Sequence, residues 1–310
     1  MVFTFCFTMA AFGKNLSFYS ITDVGYNFGS DFVSGGTHFA PVKKIYDGIE
    51  LSETLKGIYT IPVPFGESQL VKDNKIELTG AISLTPVSIM PRASISFTPV
   101  AFLNFSAGAD IGTAWKVLGI KSISCHDPST NEYKMQRPFE TWYYNAWLNA
   151  TLMADLAFIW PGDFHHVILA ASMEVNYSGL LNSKDDDEIF QWQTTSGKTR
   201  GAGYNSTFII GYQLPYKLNL VGLKLNKSGY FKKSLSAQYE NFNIDFSYTS
   251  LGAFCSYNFS EKDSLFALVE FQTRRSFTEF HDDPEKEPLM NYSGHEWIFK
   301  RIGFSYSHKF

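Results

Sequence analysis

Nine charged side chains, Glu77, Arg92, Asp110, Asp155, Glu174, Lys224, Glu270, Arg274 and Arg301, stand inside segments whose other residues alternate between apolar and small polar types. Acids and bases are mixed. Gathered on one wetted face, such a set fixes the polarity and selectivity of a path for solutes. Paired with one another, the same groups form a salt-bridge network that fills a narrow interior. The sequence leaves both readings open.

Other chemistries find less support. Covalent catalysis needs a nucleophile with a base in hydrogen-bond reach, and seven histidines supply candidate bases. His165 and His166 sit at a turn, His281 lies in an acidic loop, and His308 neighbours Ser307 with the opposite facing. None belongs to a serine-base-acid arrangement, and no Gly-x-Ser-x-Gly elbow occurs. The reading is therefore a protein without catalytic residues. The acidic runs Asp185-Asp186-Asp187-Glu188 and Asp282-Asp283-Pro284-Glu285 lack EF-hand spacing and read as solvated loop faces. Cys125 and Cys255 lie far apart in different contexts, so neither a disulfide nor a metal or cofactor site is expected. A formal charge of -4 without a basic run argues against nucleic acid as a partner.

The elements that must position the charges are strands. Tyr144, Ala146, Leu148, Ala150, Leu152 and Ala154 alternate with Asn145, Asn149, Thr151 and Asp155. Val167, Leu169, Ala171, Met173, Val175 and Tyr177 alternate likewise with Ser172, Glu174 and Asn176. The same period recurs from Leu103 to Trp115 and from Ser264 to Arg274. Successive side chains of a strand face opposite sides of its sheet, so each segment has an apolar and a polar face. Several segments exceed the ~9 to 11 residues that cross a bilayer as a strand, whereas soluble strands run to ~5 or 6. No stretch reaches the ~18 to 20 apolar residues of a spanning helix.

Connections alternate in length. Trp160–Asp163, Leu214–Lys217 and Ser260–Asp263 read as tight turns, while long polar stretches run at about Leu118 to Glu140, Gly179 to Gly203, Asn226 to Asn243 and Ser276 to His295. Strands fall near 16–28, 45–60, 75–85, 91–98, 102–117, 141–158, 166–178, 203–214, 217–225, 243–259, 264–275 and 296–310, twelve in all. The number drops to ten if residues 75–98 form one strand bent at Pro86 and Pro91. Aromatic residues make up 17% of the chain while mean hydropathy stays at -0.11, so apolar and polar residues are interleaved. On this register Trp115, Trp142, Tyr144, Tyr177 and Tyr204 mark one end of the outward faces, and Phe97, Phe158, Tyr212, Tyr257 and Phe259 the other.

The fold class is thus all-β, a transmembrane antiparallel up-and-down barrel of residues 14–310. Residues 1–13, Met1 to Gly13, are a short apolar segment ending in small residues, and read as a signal peptide that lacks a basic start.

The last strand places Ile302, Phe304, Tyr306, His308 and Phe310 on one face. It resembles the C-terminal signal of bacterial outer-membrane β-barrel proteins, an alternating aromatic strand ending in Phe. The resemblance implies the outer membrane of a diderm bacterium as location, with outer-membrane lipid and the barrel-assembly machinery as partners. For function, the polar and charged inner face points to a porin-like channel for small hydrophilic solutes. The alternative is a closed barrel serving as a surface adhesin or structural protein, since the bulky inward residues Trp147, Phe254 and Phe266 weigh against a continuous water path.

Overall fold

The computed structural model describes residues 15–310 apart from 64, 69, 73, 160, 161, 163, 184–187 and 233. The expected signal peptide, most of the turn at 160–163 and the acidic residues 185–187 lie outside the described residues.

Twelve long strands follow one another: β1 Leu16–Ser30, β2 Val42–Pro62, β3 Lys75–Thr85, β4 Ser88–Val100, β5 Leu103–Ala114, β6 Trp142–Asp155, β7 Val167–Leu181, β8 Gly201–Gln213, β9 Leu218–Tyr230, β10 Tyr248–Asn258, β11 Asp263–Phe277 and β12 Tyr292–Lys309. Each pairs antiparallel with the next, and β12 returns to pair with β1 from Tyr19↔Lys309 to Asn27↔Arg301. The sheet is closed and has no free edge.

Twelve strands rather than ten form because Pro86 and Val87 make a tight turn between the paired Thr85 and Ser88. Pro91 lies inside β4 instead of at a bend. It faces Ile82 of β3, and on its β5 side the pairing skips from Ile89↔Thr113 to Arg92↔Asp110, which spares its missing N–H a ladder partner.

Alternation decides which way each side chain points. Leu148, Leu152, Phe208, Ile210, Leu223, Leu251 and Phe304 are exposed on the outer face, an arrangement that only an apolar surrounding favours. Aromatic rings collect toward both ends of this face. Tyr144 and Tyr177 stack at 6.3 Å near the long-loop end, and Tyr257 meets Phe259 edge-on at 5.0 Å near the turn end.

The long connections differ from the expectation of solvated loops. Ile123–Asp127, Glu132–Met135, Ile189–Trp192 and Thr195–Thr199, from the β5–β6 and β7–β8 connections, make a separate four-stranded sheet. One buried cluster joins this sheet to the barrel through Ile123, Cys125, Phe190, Trp192, Tyr143 and Leu180. A second unites Tyr133 and Ile189 with Tyr239, Phe242, Ile244 and Phe277 from the β9–β10 connection and the end of β11. The connections thus hold a core of their own. Their strands are four or five residues long, too short for alternation to stand out among the polar residues around them.

Candidate lumen and its cap

On the inner face the charged side chains gather in rows along the wall. Arg92 of β4 makes an ion pair with Asp110 of β5, and Asn145 of β6 donates to the same carboxylate at 3.1 Å. Glu174 of β7 lies within Coulombic reach of both Arg92 and Asp110. Across the barrel, Arg301 of β12 donates from Nε to Glu270 of β11 at 2.9 Å and from Nη1 to Glu50 of β2 at 2.6 Å. Asn27 of the intervening β1 also donates to Glu50, at 3.2 Å. Glu270 is almost fully buried, so the Arg301 pair is what makes its charge tolerable.

Three other charged residues occupy the ends of strands. Glu77 is held by Lys75 at 2.8 Å. Asp155 accepts from the Ala157 N–H at 2.9 Å, capping the short 3-10 turn Leu156–Phe158, and sits 2.6 Å from His166. Arg274 binds Glu296 at 2.9 Å and the Asp31 carbonyl at 2.7 Å, with the Phe32 ring 3.8 Å from its guanidinium. Lys224 of β9 stands near Glu270.

Sequence reasoning omitted Glu50 and Lys300. Glu50 alternates with Ile49 and Leu51, a signal that was available. Lys300 escaped because a bulge shifts the phase of β12, so that Glu270 faces Arg301 while Phe271 faces Phe299.

The bulky inward residues do not stand upright. A Cβ on Gly108 would run into the Trp147 ring, which therefore lies flat across β5. Phe254 lies over Gly222 in the same way, Leu220 over Gly211 and Leu268 over Gly252, each with a side-chain carbon within 3 Å of where a Cβ would be. Glycine on the neighbouring strand lets each large side chain fold against the wall instead of into the bore.

At the long-loop end the four-stranded sheet covers the mouth. Trp192 stacks on Tyr143 at 4.7 Å, and Gln193 donates to Ser88 at 2.9 Å, tying the sheet to the β4–β6 wall. On its far side Lys121 reaches Glu285 at 2.8 Å, and the Tyr133 hydroxyl accepts from the Gly197 N–H at 3.0 Å above the second cluster. His126 is buried between Tyr239 at 3.0 Å and Asn131 at 3.1 Å. Burial lowers its pKa, against the opposing pull of Asn131 and Asp127. Burial likewise lowers that of His281 and raises that of Glu287 to about 7, although Arg275 and Arg274 partly offset the latter.

The aromatic face of β12 packs beside β1, with Val24↔Phe304, Thr22↔Tyr306 and Ser20↔His308 in register and the Phe310 N–H donating to the Phe18 carbonyl at 3.1 Å. His308 also approaches Asp263 at 2.7 Å, and Ile302 faces Tyr26 on the same outer side.

No family model matches the chain, and no curated protein sequence matches it. Among solved structures, the COG4313 outer membrane channel from Pseudomonas putida F1 superposes with a TM-score of 0.50 at 9% identity, covering 97% of each chain. The fold is that of an outer-membrane β-barrel. The beta domain of the Bordetella autotransporter BrkA gives a TM-score of 0.45 at 9% identity over 95% of this barrel and 99% of that chain. The KdgM porin gives 0.38 at 9% identity over 94% and 99%.

Proposed function

We propose that this outer-membrane barrel is a porin-like channel for small hydrophilic solutes, with the nine charged residues of the inner face along the path and the cap as its outer gate. The observation that carries this reading is the placement of large side chains against glycines of neighbouring strands, which draws Trp147 and Phe254 toward the wall. The ion pairs of the inner face support it, because among the described residues they join strands along one wall and do not cross-link opposite walls. A plug built of charges would need the opposite arrangement.

Planar-bilayer recording tests the proposal. Stepwise conductance is expected, rising when residues of the cap sheet are deleted. Insertion without conductance, in the intact chain and in the cap deletion alike, overturns it.

One observation favours the second reading, a closed barrel that presents its cap as a surface platform: the cap is secured on both sides of the mouth. That reading expects the cap deletion to be as silent as the parent. For assembly, we infer that Ile302, Phe304, Tyr306, His308 and Phe310 engage the barrel-assembly machinery, and that a Phe310 deletion lowers the fraction inserted into the outer membrane.

A further inference from the structure

The inner wall is not uniform around its circumference. From β2 to β5 the inward residues include Ser52, Thr54, Ser83, Ser94, Ser96 and Ser106, with Thr54 and Ser83 bonded at 2.6 Å. From β8 to β11 the character changes. Pairing sets three inner-face rows side by side there. The upper row holds Ile209, Lys224, Gly252, Glu270 and Arg301. The middle row holds Gly211, Gly222, Phe254, Leu268 and Gly303. The lower row contains Leu220, Ser256, Phe266 and Ser305.

Four large apolar side chains, Leu220, Phe254, Phe266 and Leu268, thus form a patch on the inside of a barrel whose other wall is hydroxyl-rich. Phe254 is buried beneath its stacking contact with Phe266 at 5.4 Å, and the open part of the patch is Phe266, 36% exposed, with the half-buried Leu220 and Leu268 beside it. An exposed apolar patch facing a wet interior costs free energy until an apolar group covers it.

Directly above the patch stand three bases. Arg301 already holds both Glu270 and Glu50. Lys224 and Lys300 both lie in Coulombic reach of Glu270, and among the described residues neither makes an ion pair. Two ammonium groups over an apolar floor are complementary to a small molecule with a negative head and an apolar body.

We propose that the lumen has a binding site for small amphipathic anions, of the class of aromatic or short aliphatic carboxylates. The carboxylate lies between Lys224 and Lys300, and the apolar body rests on Phe266, Leu268 and Leu220. The proposal rests on the channel reading, and it narrows the solutes to those with one charged end and one apolar flank. Fully hydroxylated solutes gain nothing from the patch, and cations are repelled by the two lysines.

The test uses the full chain in two assays, with phenylacetate, acetate and phenethylammonium as probes. In planar bilayers phenylacetate is expected to cause transient current blockades that acetate and phenethylammonium do not. In detergent, saturation-transfer NMR should detect phenylacetate binding with the same preference. Lys224→Gln is expected to weaken that binding by about tenfold, the scale of one charge-assisted hydrogen bond. Phe266→Ser should weaken it as well, with heat-dependent gel mobility showing that both variants are folded. Conductance that treats the three probes alike, unchanged in Lys224→Gln, overturns the site and leaves the channel standing. Selective binding without conductance overturns the channel and leaves the site standing. Absence of selective binding in detergent overturns the site whatever the conductance.

Discussion

Lys121 and Glu285 meet at 2.8 Å although their segments leave the barrel on opposite walls, one after β5 and the other after β11, six strands away in a ring of twelve. A contact of that kind lies across the mouth, and it fastens a sheet rooted on one side to a loop rooted on the other. Both side chains are about one-third exposed, so the pair itself contributes little, under about 1 kcal/mol. A double-mutant cycle with Lys121→Ala and Glu285→Ala should return a coupling of that size, together with more frequent openings in single-channel traces. A coupling of several kcal/mol would mean that the cap hangs on this bridge rather than on its apolar core.

The core is the stronger fastening. Trp192 is 5% exposed and stacked on Tyr143, so Trp192→Ala should cost the cap about 3–5 kcal/mol. The barrel strands do not depend on it. Limited proteolysis should therefore cut the variant within 115–141 and 182–200 while the heat-dependent gel shift of the barrel persists. Loss of the gel shift would show that cap and barrel fold as one unit.

Acidity should act on the cap in two opposing senses. The Glu287 carboxyl, with its pKa raised to about 7 by burial, binds its proton more tightly in the folded cap than in an unfolded chain. Its contribution is full below the ordinary carboxylate value of 4.5 and is lost as pH rises through about 7, worth up to about 3 kcal/mol. His126 and His281 have lowered values, so their contribution is full above 6.5 and is lost as pH falls. Glu287→Gln removes the first effect and keeps the second at His126, while at His281 it also takes away the carboxyl 3.7 Å from Nε2. Protease protection of that variant should rise from pH 5 and level off near 6.5, whereas in the parent the loss of the Glu287 contribution between pH 4.5 and about 7 opposes that rise. Superimposable pH profiles for the two proteins would refute the assignment.

The glycines of the inner wall should not be equivalent. A Cβ at Gly211 stands 2.9 Å from Leu220 Cδ1, the mobile end of a side chain, so Gly211→Ala should fold and turn Leu220 into the bore, lowering conductance. At Gly222 the Cβ meets the Ile210 carbonyl oxygen of the paired strand, and backbone cannot step aside cheaply. Gly222→Ala should cost about 1–3 kcal/mol and show in the yield of folded barrel. Equal yields and equal conductances would sink the distinction.

The barrel was legible because its signal is repeated. Alternation at Leu148, Ala150 and Leu152, or at Met173, Val175 and Tyr177, fixes strand, face and register together, since a slip by one residue would turn every lipid-facing side chain inward. Glu270 and Arg301 could be assigned to the inner face on the same ground, but not to each other, because pairing across strands depends on a bulge that leaves no mark in composition. The cap was not legible. Tyr133, Ile189 and Tyr239 come together from three connections, and nothing local to any one of them announces its partners. The channel was harder still to judge from sequence. Trp147 and Phe254 looked like obstructions because their size is written in the chain, whereas their tilt is set by Gly108 and Gly222 on other strands.

That tilt carries a consequence for how such a pore can vary. Strand number fixes the circumference of a closed sheet, and changing it means gaining or losing a whole hairpin. Calibre inside a constant circumference is a different quantity, governed here by positions that bear no side chain at all. A single methyl group added on the neighbouring strand meets the ring inside van der Waals contact and must displace it. The bore is therefore adjustable in small steps, by substitutions that leave the frame of the barrel untouched.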